Sequence, residues 1–184
     1  MGIDSVLRDQ MLAAIPSLRA FAISLTGSLD RADDLVQEAL LKGLDNIQRF
    51  QPGTNMQAWL FTILRNQFYT GLRRRRREVE DPDGVISGKL AVGPAQQGRL
   101  DCADMLEALA KLPLDQREAL LLVAAEGFSY EEAAQICATN LGTIKSRINR
   151  ARTRLAELLQ MDVEADLRPD RLLEAALSAE HVAR

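Results

Sequence analysis

The residues best suited to chemistry in this chain are cations arranged for contact with a polyanion. Lys145, Arg147, Arg150, Arg152 and Arg154 occur with no acidic residue from Thr143 through Ala156. Laid out at 100° per residue, Ile144, Ile148, Ala151, Leu155 and Leu158 form one apolar stripe. Ser146, Asn149, Arg150 and Thr153 lie opposite it. Lys145 and Arg152 flank that polar face on one side, Arg147 and Arg154 on the other. Short polar side chains at the centre suit base edges, and cations at the margins suit phosphates. A merely solvated basic face is the plain alternative. The residues just upstream argue against it. Ser129 can cap a short helix, and Glu132 three residues later completes a capping box. Asn140 is a good cap for the helix that follows. A short capped helix, a tight turn and a longer basic helix make a helix-turn-helix, whose second helix normally enters the major groove of DNA.

A second basic site is the unbroken run Arg73, Arg74, Arg75, Arg76 and Arg77, with Arg65 two turns earlier. Cations at a helix C-terminus are favoured by the macrodipole. Five consecutive arginines exceed what capping needs, so the run reads as a phosphate-binding site.

The rest of the composition excludes other classes. Two cysteines, Cys102 and Cys137, rule against a disulfide framework or a zinc site, and Cys137 reads as a buried apolar thiol. The single histidine, His181, lies in the tail, and no nucleophile stands beside a base. No enzyme chemistry, metal or cofactor is expected. The net charge of −3 argues against a generic DNA-coating protein. Basic residues are instead concentrated in two places, while acidic ones gather at Asp30 to Asp45, Glu78 to Asp83 and from Asp162 onward. No apolar stretch is long enough to span a membrane and no secretory pattern opens the chain, so a cytoplasmic protein is expected.

Regularly spaced Leu, Ala and Ile predict an all-α chain of two small helical domains. Residues 1–77 form the first. A Gly- and Pro-rich linker spans 78–98, the helix-turn-helix domain spans 99–161, and an acidic tail occupies 162–184. In the first domain, Leu7, Met11 and Leu12 suggest one helix, and Pro16 opens another that Gly27 ends. Asp30 opens a third, with Ala32, Leu35, Val36, Ala39, Leu40 and Gly43 inward. Asp34, Gln37, Glu38, Leu41 and Asp45 lie outside. Phe50 to Asn55 is a loop by its Pro52-Gly53 pair. Asn55 or Thr54 then caps a long helix through the arginine run, with Trp59, Leu60, Ile63, Leu64, Phe68 and Leu72 as its core stripe. Trp59 is open to a base-stacking role, though its spacing favours the core. In the second domain, Asp101 to Ala110 is a helix with Met105, Leu106 and Leu109 inside. Leu112-Pro113 breaks it, and Leu114 to Ala125 follows. Arg171 to Val182 allows one weak amphipathic helix in the tail.

Several segments, in this order and spacing, resemble the bacterial sigma factors of the extracytoplasmic-function class. They are Asp33-Asp34-Leu35-Val36-Gln37-Glu38, Ala58-Trp59-Leu60-Phe61-Thr62-Ile63-Leu64-Arg65-Asn66, Leu112-Pro113 with Arg117-Glu118, Ser129 to Ala134, and Gly142 to Arg147. The resemblance covers roughly residues 12 to 160. It implies that the first domain binds the clamp helices of the polymerase β′ subunit and melts the promoter −10 element. The second would read the −35 element and meet the β flap. Asp34, Gln37, Glu38 and Leu41 match the polymerase-binding face. Phe50 to Asn55 matches the loop that holds a flipped −10 base, and Arg65, Asn66 and Arg73 to Arg77 match the strand-binding helix. Thr143, Lys145, Ser146, Arg147, Asn149, Arg150 and Arg152 match the −35-reading helix. At Asn149 members vary, and at Val123 this chain lacks an arginine that some members give to DNA. Asn55 to Asn66 with Arg75 to Asp81 is similar to the alphaproteobacterial general-stress subgroup, which a small anti-sigma protein inhibits.

The rival reading is a sigma-like decoy that binds an anti-sigma protein and never touches DNA. Decoys normally carry a phosphoacceptor receiver domain, for which this length leaves no room, and they have no need of two cationic sites. A stand-alone helix-turn-helix repressor would leave the acidic outer face and the Trp59 helix without a task.

Overall fold

The computed structural model describes residues 4–78 and 97–159, and among them every regular element is helical. The chain divides into two units, Met1–Gly88 and Lys89–Arg184. The acidic tail, with the expected helix at Arg171 to Val182 and His181, lies outside the described residues, as does most of the expected linker. Among the described residues no helix is long and apolar enough to cross a membrane.

The first unit packs three helices: α1 (Ser5–Thr26), α2 (Leu29–Asp45) and α3 (Met56–Glu78). Helix α1 corrects the expected break at Pro16, which sits inside one continuous helix. A proline in a helix interior loses a hydrogen bond and costs about 3 kcal/mol. Here Pro16 is exposed, and the buried stripe Met11, Ala14, Leu18, Phe21, Ala22 and Leu25 runs past it unbroken. Burying a large apolar side chain gives back about 1.5–3 kcal/mol, so the stripe holds the helix through the proline. Gly27 ends α1 in the left-handed region at φ 66°, and its N–H donates to the Ile23 carbonyl at 2.8 Å. Ser28, rather than Asp30, caps α2.

Ala32, Leu35, Val36 and Ala39 of α2 are buried as expected, and Leu40 is half-buried. Leu60, Leu64, Phe68 and Leu72 of α3 meet them, and Ile63 is half-buried. Phe61 also belongs to the core. It is fully buried, with its ring 5.1 Å from that of Phe21. All three helices approach at Gly43. A Cβ there would lie 3.0 Å from Leu60 Cδ2 and 3.3 Å from Met11 Cε.

The second unit contains α4 (Gln97–Ala110), α5 (Leu114–Ala124), α6 (Tyr130–Ile136) and α7 (Leu141–Leu159). Helix α4 starts four residues before the expected Asp101, and α3 reaches Glu78, so both ends of the expected linker are helical. On α4 the buried residue is Ala108, while Leu106 is exposed and Met105 and Leu109 are half-buried. Pro113 caps α5, which buries Ala119, Leu120 and Leu122. Helices α5 and α6 close around Ile144, Ile148, Ala151, Leu155 and Ala156 of α7. Leu158 is half-buried, and Cys137 is a buried thiol.

Gly43→Val puts two methyl groups against locked side chains from two other helices. It should cost about 1–3 kcal/mol. Urea denaturation checks this, and an unchanged midpoint would contradict the close approach.

Candidate nucleic-acid and protein interfaces

Helix α7 is aimed by its two preceding turns. Ser129 Oγ accepts from the Glu132 N–H at 3.1 Å, and Glu132 Oε2 accepts from the Ser129 N–H at 2.9 Å. The expected capping box is therefore formed. At the other end of α6, the Ala138 N–H reaches the Gln135 carbonyl and the Thr139 N–H reaches the Ala134 carbonyl. This is a Schellman ending with Ala138, rather than glycine, in the left-handed position at φ 49°. Asn140 Oδ1 then accepts from the Thr143 N–H at 2.7 Å and caps α7. Two caps separated by one left-handed residue fix the angle of the turn.

On α7, Lys145, Asn149, Arg150 and Thr153 are exposed together, opposite the buried stripe. Ser146 is half-buried and its hydroxyl donates to the Thr143 carbonyl at 2.9 Å. Thr143 is half-buried at the capped first turn. Arg147 departs from its expected place as an open flank. Its Nε lies 3.1 Å from Asp115 Oδ2, and its side chain is only 22% exposed. The pair ties the first turn of α5 to α7 and holds Arg147 back from the outer face. Arg154 pairs with Glu157 at 2.8 Å. Arg152 is half-buried, with its Nε enclosed. The outward set is thus Lys145, Asn149, Arg150 and Thr153, which includes one flanking ammonium, one amide and one guanidinium fork. A fork and an amide match purine edges in a major groove, and an ammonium matches a phosphate.

In the first unit the loop before α3 begins differently from expectation. Phe50 is 6% exposed, with its ring 5.4 Å from that of Trp59 at 54°. Its ring anchors the loop and is not offered outward. Gln51 to Asn55 form the exposed part. The Thr54 hydroxyl donates to the Gln51 carbonyl at 2.7 Å, and Asn55 Oδ1 accepts from the Ala58 N–H at 3.2 Å, capping α3. Trp59 is half-buried behind this loop.

Five consecutive arginines cannot share one face, because each step turns 100°. Arg73 and Arg77 fall in line with Asn66 and Thr70, on the side away from the core. Thr70, Arg73, Arg74 and Arg77 line one shallow concavity. Arg76 is exposed as well, in line with Arg65 and Tyr69. Arg65 lies with its guanidinium 4.5 Å from the centre of the Tyr69 ring.

The outer face of α2 is of another kind. Asp34, Gln37, Glu38 and Leu41 are all exposed. Asp33 does not join them. Arg19 Nε donates to Asp33 Oδ1 at 2.6 Å and Arg19 Nη2 to Oδ2 at 3.1 Å. That hydrogen bonding holds the Asp33 carboxyl below the ordinary carboxylate range. Leu41 is 62% exposed, and Leu44 one turn on is exposed too. The two leucines make an apolar spot beside Asp34 and Glu38. Leu44 was legible only from its spacing of three from Leu41.

Comparison with known proteins places both units in one family. Residues 12–78 match sigma-70 region 2, and residues 102–155 match sigma-70 region 4. The ECF RNA polymerase sigma factor EcfG of Rhodopseudomonas palustris is 58% identical over 177 residues, 96% of this chain and 98% of that one. The sigma factor RpoE of Bartonella quintana, solved with the anti-sigma factor NepR, is 52% identical. It superposes with a TM-score of 0.78 over 86% of this chain and 99% of that one. CnrH, solved with the cytosolic domain of CnrY, is 27% identical with a TM-score of 0.62, over 84% and 87% of the two chains.

The Asn140 cap gives a direct test of how α7 is set. Asn140→Ala should cost about 1 kcal/mol and Asn140→Ser much less. Urea denaturation of the two variants checks it. Equal losses would mean that the cap does not hold the helix.

Proposed function

This chain belongs to the extracytoplasmic-function class of the sigma-70 family, and we propose how its surfaces divide that work. As a sigma factor it binds core RNA polymerase and directs promoter-specific transcription initiation. The proposal assigns region 2 to residues 1–77, a linker to 78–98 and region 4 to 99–161. The outer face of α2, with Asp34, Gln37, Glu38, Leu41 and Leu44, docks on the β′ clamp helices. Its support is an apolar spot ringed by carboxylates that the fold itself leaves unused. The loop Gln51 to Asn55 takes the −10 base, with Phe50 and Trp59 as its buried footing. Asn66, Arg73 and Arg77 track the strand, together with Arg65, Arg74, Arg75 and Arg76.

On α7, Asn149 and Arg150 read the −35 element, while Lys145 holds a phosphate and Ser146 lies at their edge. Thr143 and Arg152 sit beside this face. Arg147 serves it indirectly through Asp115. The second unit also meets the β flap. The protein acts in the cytoplasm and without chemistry of its own, since its task is to place polymerase on a promoter.

The observation that carries the reading is the pairing, in one chain, of an uncommitted acidic-apolar face on α2 with an uncommitted cationic face on α7. A decoy would need neither cationic site. We also propose that the chain serves a general stress response under a small anti-sigma protein, by its identity to EcfG and to the NepR-bound RpoE.

Pull-down of core polymerase followed by run-off transcription tests the proposal. Charge reversal of Asp34 and Glu38 to lysine should abolish core binding. Stability should change by no more than about 0.5 kcal/mol, as for surface sites generally. Undiminished core binding, or unfolding of the double variant, would refute the assignment.

A further inference from the structure

The cations of α7 are not equally available. Lys145 and Arg150 are exposed. Arg152 has its Nε enclosed. Arg154 Nη1 lies 2.8 Å from Glu157 Oε2, one turn on along the same helix. Arg147 Nε lies 3.1 Å from Asp115 Oδ2, and that carboxylate comes from the first turn of another helix, α5.

Their positions around the helix give this inequality a consequence. Lys145 and Arg147 are the two neighbours of Ser146, so they project about 100° to either side of it. Arg154 follows Arg147 after two turns and shares its flank. A helix seated in a major groove has one phosphate strand along each side. One flank of α7 thus offers the open ammonium of Lys145. The other carries two guanidiniums, each already facing a carboxylate. The Arg147 side chain is 22% exposed and that of Asp115 is 47% exposed. An ion pair so open to water adds little to stability. Its larger effect is on charge, because the carboxylate offsets Arg147 and occupies its Nε.

We propose that Asp115 is a positioning residue that withholds Arg147 from the DNA backbone, so that α7 grips phosphate on the Lys145 flank alone. The proposal rests on the assignment of α7 to the −35 element. Phosphate contacts carry no sequence information and strengthen binding to every duplex alike. Withholding one lowers the hold on all DNA and leaves recognition to Asn149 and Arg150 at the centre of the face.

The test uses the full chain assembled with core polymerase. Its probes are the duplex that the wild-type holoenzyme selects from a randomised pool and the same duplex with its −35 segment scrambled. The variants are D115N, D115S, D115E, D115N/R147Q and K145Q, with affinity measured between about 50 and 200 mM salt. One added phosphate contact steepens the fall of log affinity against log salt by about one. Over that range the variant then loses on the order of threefold more affinity than the wild type. D115N and D115S should both show this steeper slope on both duplexes and bind them more tightly at the low-salt end. D115E, which keeps the carboxylate, should stay near the wild-type slope. R147Q added to D115N should erase the gain, which separates release of Arg147 from mere removal of a negative charge. K145Q should make the slope shallower by about one.

An unchanged slope in D115N and D115S, with K145Q still shallower, overturns the withholding of Arg147 and leaves α7 on DNA. A steeper slope that survives in D115N/R147Q overturns it too, since Asp115 would then act by its own charge. No effect from K145Q would overturn the phosphate contact of α7, and the proposal with it.

Discussion

A helix that must both hold a domain together and meet a partner has only its circumference to divide. That constraint governs α2, α3 and α7. Each spends an apolar stripe on the core and leaves the opposite face exposed. On α2 the stripe Ala32, Leu35, Val36, Ala39 leaves Asp34, Gln37, Glu38 and Leu41 exposed. On α7 the stripe Ile144, Ile148, Ala151, Leu155 leaves Lys145, Asn149 and Arg150. The two outer faces carry opposite charge, so under the proposed assignment a protein and a nucleic acid would not compete for the same surface.

Fixing such faces in space falls to the helix ends. Asn140 and Asn55 each accept a backbone N–H at the start of a functional helix, at 2.7 and 3.2 Å. Phe50 against Trp59 ties the loop down just before α3. Asp115 with Arg147 does the same across α5 and α7. None of these interactions is large alone. Together they limit how far each helix rotates about its own axis, and rotation decides which side chains a groove would meet.

Much of this was legible in the sequence. Capping pairs such as Ser129 with Glu132 are local, and local hydrogen bonds leave a spacing that can be read. The same holds for the periodic stripes of α2 and α7. What escaped depends on neighbours distant in sequence. Pro16 carries a start signal, yet the stripe from Met11 to Leu25 packs on α2 and α3 and overrides it. Phe50 stands in a loop by every local cue, and only the fold brings it under Trp59. Phe61 and Ala108 are buried by their partners' approach. Arg147 looked like its neighbours until Asp115, thirty-two residues earlier, claimed it. The five arginines read as one site, but helical rotation sends Arg73 and Arg77 one way and Arg75 another.

The central claim is that three faces of this chain serve three partners: α2 polymerase, α3 the −10 element and α7 the −35 element. Site-specific photo-crosslinking in the assembled promoter complex tests it most directly, with the crosslinker placed in turn at Gln37, Arg77 and Asn149. The account predicts polymerase protein alone from Gln37, −10 DNA from Arg77 and −35 DNA from Asn149. DNA crosslinks from Gln37, or protein without DNA from Asn149, would contradict it.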